Sequence, residues 1–251
     1  MQYGELHKLL FELSSAERIN IMLEVQKNRS KLSHISRQQD MTVTETSRHL
    51  QRLSDSRLIE KGADGLYGLS SYGELVLEQL SGLGFVAKHQ EYFLQYDLSC
   101  LPYEFIGRMG ELAKGEFRGD ILANFELTEN EFRRADKFIW ILSDQILKSL
   151  IPVVAEKLKQ PFDFRFISPQ AVMPHDSIAP LPSTMPGVKK RFLPKVDVVV
   201  IVTDKAAGFC FPQRSGKIDY RNFNGADPKF RKWCKDLFCY YWDKAQPVVP
   251  I

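Results

Sequence analysis

The chain has 251 residues, 44% hydrophobic and 26% charged, with a formal net charge of +3; this allows one large or two medium domains with sizeable cores and argues against disorder. Residues 1–90 carry 11 Lys and Arg against 11 Asp and Glu, which argues against a chain that coats nucleic acid through bulk charge alone. The longest apolar run, residues 198–202, is too short to span a bilayer, and the start, with Glu5, His7 and Lys8, has no apolar signal segment, so a cytoplasmic protein without a membrane partner is expected.

Residues 3–27 read as two helical pieces. Ser14 and Glu17 offer a capping box between them, and Ile19, Met22, Leu23 and Gln26 supply the stripe of the second. A short amphipathic segment follows, with Leu32, Ile35 and Ser36 inward and His34, Arg37 and Gln38 outward; Asp40 and Met41 turn the chain. Thr42 and Glu45 then have capping-box spacing and mark a helix start, while Thr46, Leu50 and Leu53 form its buried stripe. The opposite face holds Thr44, Glu45, Ser47, Arg48, Gln51 and Arg52, the hydroxyl, amide and guanidinium types that read phosphates and base edges. Taken alone, this is equally an amphipathic helix with a solvated face.

Residues 58–61 and 66–69 read as strands joined by a tight turn containing Asp64 and Gly65. Helix, turn, helix and hairpin in this order predict a winged helix-turn-helix. The candidate contacts to double-stranded DNA are Thr42, Thr44, Glu45, Ser47, Arg48, Gln51 and Arg52, with Lys61 in the hairpin. Locally, Arg29, Lys31, Arg37, Arg48, Arg52, Arg57 and Lys61 outnumber Asp40, Glu45, Asp55 and Glu60.

A helix is expected from residue 70, interrupted at residues 81–84 and resuming over 85–96, with Phe85, His89, Tyr92, Phe93 and Tyr96 clustered. That aromatic stripe fits either core against a following domain or a homodimer seam; Leu77, Leu80, Phe85, Phe93 and Tyr96 are the seam candidates. Residues 102–112 read as helix, 115–119 as a hinge, and 121–135 as helix. Strand 138–142, helix 147–159 and strand 162–167 make a βαβ unit with parallel strands. Residues 168–195, with six prolines, read as a long loop carrying a solvated Lys189, Lys190 and Arg191 patch. Strands are expected over 196–202, 206–211 and 218–223. A last helix is capped by Asp227, starts with Pro228, and has an apolar face of Phe230, Trp233, Leu237, Tyr240 and Tyr241.

The expected fold class is therefore α+β: a winged helix-turn-helix over residues 1–80, a helical linker over 81–118, and an α/β sheet domain over 119–251 that senses an effector. In an open parallel sheet, ligands sit beyond the carboxyl ends of the strands. Those ends carry Ser143, Asp144, Ser168, Thr203 and Asp204. Trp140, Asp144, Arg165 and Asp204 are the candidate ligand residues; the alternative is that Asp144 caps a helix and Arg165 is a solvated strand residue. The mixture of carboxylates, hydroxyls and a Trp points to a polar organic effector. Cys100, Cys210, Cys234 and Cys239 are expected as free thiols, and neither a metal nor a cofactor is expected.

Leu32-Ser33-His34-Ile35-Ser36 and the run Thr44-Glu45-Thr46-Ser47-Arg48-His49-Leu50-Gln51-Arg52-Leu53-Ser54 resemble archaeal winged-helix regulators of the ArsR type. Phe138-Ile139-Trp140-Ile141-Leu142-Ser143-Asp144-Gln145-Ile146-Leu147 and Trp233-Cys234-Lys235-Asp236-Leu237-Phe238-Cys239-Tyr240-Tyr241-Trp242 resemble the archaeal methanogenesis regulatory protein family. The resemblance covers nearly the whole chain and implies a transcription regulator, with a winged helix followed by a middle domain and a C-terminal segment. It implies neither an operator nor an effector.

Two other functions compete with this reading. An enzyme of phospholipase D-like architecture needs a nucleophilic His with Lys two residues on, but the five histidines are followed there by Leu9, Ser36, Gln51, Glu91 and Ser177. His175, Asp176 and Ser177 are triad residue types in adjacent positions, an accident of sequence rather than an assembled site. No catalytic residue is assigned. A general chromatin or protein-interaction module is the other alternative, and the neutral first part weighs against it.

Overall fold

The structure is a computed structural model that describes residues 3–145, 148–169 and 188–247. The chain divides into two units, Met1–Ser81 and Gly82–Ile251.

The first unit opens with helices α1 (Gly4–Leu13) and α2 (Ala16–Lys27). The cap between them is shifted by one residue from the expected box: Ser15 accepts from the Arg18 amide. The buried face of α2 is Arg18, Ile21, Met22 and Val25, while Leu23 is 42% exposed, so the expected stripe was rotated. Arg18 can be buried because it donates to the carbonyls of Phe11 and Glu12.

Helix α3 (Leu32–Gln38) buries Ile35 and Ser36 and exposes His34, Arg37 and Gln38, as its periodicity predicts. Asp40, at φ 51, turns the chain into α4 (Val43–Asp55). Strands β1 (Ile59–Lys61) and β2 (Tyr67–Leu69) pair antiparallel, and Ser30 adds a bridge to Tyr67. Ile21, Met22, Ile35, Leu50, Leu53 and Leu58 are the centre of this unit's core. Helix α5 (Ser71–Lys88) runs through residues 81–84 without the expected interruption. Gly82 lies close to Gly110, where an added Cβ would stand 3.3 Å from the Gly110 amide nitrogen, so a small residue serves packing there.

The second unit begins at Gly82, so residues 82–118, expected as a linker, are counted within it. Helix α6 (Gln90–Gln95), the short helix α7 (Tyr103–Ile106) and a 3-10 turn at Met109–Leu112 bury Tyr92, Phe105, Met109 and Leu112 in its core. Phe85 and Tyr96 are 2% and 3% exposed there, and Leu77 is buried in the first unit's core, so these three seam candidates are interior residues; Leu80 and Phe93 are partly buried against the cores. The expected hinge is strand β3 (Glu116–Arg118).

Helix α8 (Ile121–Arg134), strand β4 (Phe138–Leu142), helix α9 (Ile151–Lys157) and strand β5 (Asp163–Pro169) follow in the expected βαβ order. Residues 188–193, expected as loop, are strand β6 (Val188–Leu193), parallel to β5. Residues 170–187, including His175, Asp176 and Ser177, lie outside the described residues. Strands β7 (Val199–Thr203) and β8 (Ala207–Cys210) form a hairpin. Strand β9 (Asn222–Gly225) starts later than expected, and helix α10 (Pro228–Lys244) is capped by Asp227 before β10 (Gln246–Pro247).

The sheet order is β10-β6-β5-β4-β7-β8-β9-β3. It is mixed: β4, β5 and β6 are parallel, whereas β7 runs antiparallel to β4. Phe230, Trp233, Cys234, Leu237 and Phe238 of α10 pack with Trp140, Leu142, Val200 and Phe209. Tyr240 and Tyr241 are only partly buried at the margin of this face. Ile139, Ile141, Phe164 and Phe166 point to the other side, against Phe132 of α8 and Val153 and Val154 of α9. Alternation along β4 and β5 thus serves two cores. Among the described residues no helix is long and apolar enough to cross a membrane.

Candidate nucleic-acid interface

Helix α4 is fixed at its start by both halves of a capping box. The Glu45 amide donates to Thr42 Oγ1 at 3.2 Å, and the Thr42 amide donates to the Glu45 carboxylate at 3.0 Å. The Thr42 hydroxyl adds a 2.7 Å hydrogen bond to that carboxylate, which holds it below its usual range. Thr42 and Glu45, expected as DNA contacts, are therefore committed to the helix terminus. On the inner side Thr46, Leu50 and Leu53 are at most 1% exposed.

The outer residues divide into tied and free groups. Arg52 donates to both oxygens of Glu12, at 3.0 and 2.7 Å, and lies over the Phe11 ring; the pair holds the Glu12 carboxyl down and the guanidinium up. Gln51 donates to Asp55 at 2.8 Å. Thr44, Ser47 and Arg48 are exposed, and Arg48 has no hydrogen bond or ion pair among the described residues. These three and Gln51 share a face by i, i+3, i+4 and i+7 spacing.

The hairpin is shaped by Gly65 at φ 75 and by the Asp64 carboxylate, which accepts from the Leu66 amide at 3.0 Å. Arg29 reaches beneath it to the Leu66 carbonyl and lies 3.8 Å from Glu60. Lys61 lies over the Tyr67 ring and is otherwise exposed. Lys31, Arg37, Arg48, Arg57 and Lys61 form no ion pair among the described residues. The neutral sum over residues 1–90 therefore coexists with free cations on α3, on α4, in the turn after α4 and on the hairpin.

The four ligand candidates of the second unit do not share a crevice. Trp140 and Arg165 are neighbours in register on β4 and β5, with the guanidinium 4.2 Å from the indole ring. Asp163 joins them, accepting from Trp140 Nε1 at 2.9 Å, from Arg165 and from Lys189. Burial opposes its ionisation, but those hydrogen bonds hold the carboxyl below its usual range. Asp144, at the far end of β4, accepts from the Tyr220 hydroxyl at 2.6 Å. Asp204 lies beside the start of β4, because β7 is antiparallel to it, and accepts from the amides of Asp136 and Lys137. The assumption of an all-parallel sheet misplaced that residue.

None of the four lines a cavity found elsewhere in this unit. It lies between α8, α9 and the sheet, and its lining includes Asn124, Thr128 and Glu131. Sequence reasoning passed over these three, although their spacing on α8 puts polar residues on an inward helical face.

No family model matches the chain, and no curated protein matches it. Among solved structures, one described as the structure of TrmBL2, an archaeal chromatin protein that shows a novel mode of DNA binding, aligns over 93% of this chain and 94% of its own at 14% identity, with a TM-score of 0.46. A likeness of that degree carries no weight for what this chain binds. The class defined by the structure is an α+β chain with a winged helix-turn-helix unit and a mixed-sheet unit.

Proposed function

We propose that the chain is a DNA-binding transcription regulator that acts as a homodimer and whose second unit senses a small molecule. The observation that carries the DNA-binding part is the division on α4: capping and ion pairing hold the helix in place and, among the described residues, leave Thr44, Ser47 and Arg48 unpaired on one exposed face. Arg48 has the reach for bidentate contact with a guanine edge. Lys61 is a phosphate contact. Two-fold symmetry would double a short half-site into a palindrome. The reading is of a regulator rather than a phospholipase D-like enzyme, whose His followed two residues later by Lys the sequence lacks.

Selection from a random duplex pool, followed by titration of the enriched and random duplexes, tests this. Arg48→Ala should weaken the enriched duplex by about 1–3 kcal/mol and relax preference at one base pair. Lys61→Ala should weaken both duplexes alike. Arg52→Ala should lower the melting temperature, because it breaks the link to Glu12. Unchanged affinities with Arg48→Ala would overturn the recognition-face assignment. A monomer by light scattering, with and without the enriched duplex, would overturn the homodimer.

A further inference from the structure

The cavity beside α8 has chemistry that the chain's own hydrogen bonds leave incomplete. It holds about 70 Å³ of interior space and opens to solvent. Phe125, Ile141, Ile151, Val154, Phe164 and Ile201 form apolar walls. Into this setting α8 brings Asn124, Thr128 and Glu131, spaced i, i+4 and i+7.

Asn124 is 1% exposed. Its Nδ2 donates to the carbonyls of Arg118 and Tyr220, both at 3.1 Å. Tyr220 is held at φ 61, so that carbonyl is set by an unusual backbone conformation. Asn124 Oδ1 is buried and accepts no hydrogen bond among the described residues. Buried acceptors are rarely left in that state.

Three donors on the lining are already committed. Thr128 donates to the Asn124 carbonyl at 2.8 Å, Tyr220 to Asp144 at 2.6 Å, and Asn224 to Asn222 at 2.6 Å. The second open acceptor is Glu131, whose carboxylate has no hydrogen bond among the described residues. Burial pushes this carboxyl up to about 7, against the longer-range pull of Arg118 and Arg134. Arg118 is itself paired with Glu116 at 2.9 Å. Seven residues of helix separate the two acceptors by roughly 10 Å along the axis.

We propose that the cavity binds a small amphipathic amine, with its ammonium at Glu131, its apolar body along the α8–sheet wall, and a hydrogen-bond donor at its far end on Asn124 Oδ1. The proposal names the site and ligand class for the sensing read above, and rests on that reading only for its regulatory meaning.

Calorimetry on the full chain without DNA, near neutral pH, tests it with tyramine as the probe. Phenethylamine lacks the far donor, tyrosol lacks the ammonium, and hydroxyphenylpropionate replaces it with an anion. Tyramine should bind best, with tyrosol and hydroxyphenylpropionate at least about tenfold weaker. Glu131→Gln should remove that advantage for tyramine and leave tyrosol unchanged. In the unsubstituted chain, tyramine should shift the Asn124 side-chain amide resonances and phenethylamine should shift them less; this readout does not depend on the variant folding. Equal binding of tyramine and tyrosol, indifference to Glu131→Gln, or no binding of tyramine at millimolar concentration would overturn the proposal. Failure here leaves duplex binding standing, whereas a chain that binds tyramine but no duplex overturns only the regulator reading.

Discussion

Arg48 and Arg52 stand one helical turn apart on α4, yet only Arg52 is held by a carboxylate. Their spacing was legible in the sequence; the division of roles was not, because Glu12 lies 40 residues away in the chain. The capping pair Thr42 and Glu45 was legible because both partners lie within one turn. Glu131 shows the same limit, since its environment comes from a sheet formed by later residues. It also sets a pH dependence. Its carboxyl binds a proton more tightly in the folded chain, where burial raises it to about 7, than in the unfolded chain. The stability associated with that proton is present in acid and lost as pH rises through neutrality. Glu131→Gln cannot ionise, so it should be more stable than the original chain by on the order of 2–3 kcal/mol at pH 8, with the gap closing toward pH 4. Urea unfolding at the two pH values would check this; a gap that widens in acid contradicts the assignment.

At the scale of elements, Gly73 shows a constraint that helix propensity alone would misjudge. An alanine inside a helix is favoured over glycine by about 1 kcal/mol. At Gly73, however, an added Cβ would stand 2.0 Å from the Leu58 carbonyl oxygen, which is backbone and cannot turn aside. Helix α5 would have to move away from the start of the hairpin, so Gly73→Ala should destabilise the chain by about 1–3 kcal/mol. Equal or greater resistance to denaturant would show that the helix yields freely.

Helices with strong periodicity and a local cap, such as α4 and α10, could be read from the sequence, as could the continuous apolar run of β4. Strands β3 and β6 could not. A three-residue strand has no measurable period, and β3 exists because β9 supplies its partners. Strand β6 follows a proline-rich stretch and owes its place to β5. The aromatic run from Phe85 to Tyr96 was legible as apolar, but nothing local distinguished core from seam.

For the whole molecule, the formal charge of +3 conceals an uneven pairing of ions. Five cations of the first unit, Lys31, Arg37, Arg48, Arg57 and Lys61, are without ion-pair partners among the described residues. If all five met phosphate, the slope of log K against log salt would be about −4.5 per protomer. Duplex titrations across a range of salt should give that slope or a shallower one. A steeper slope would mean that cations beyond these five join the contact.

The ends of the second unit's sheet bear on self-association. Among the described residues its outermost strands are β10, two residues long and ending in Pro247, and β3, whose Glu116 and Arg118 are exposed. A proline offers no amide donor, and short charged edges are poor templates for another strand. Among the described residues, the two outer strands are thus poor starting points for a ribbon of stacked copies. Protomers that associate would then meet more readily through side chains on other surfaces, and an association of that kind can end at two instead of continuing into a fibre.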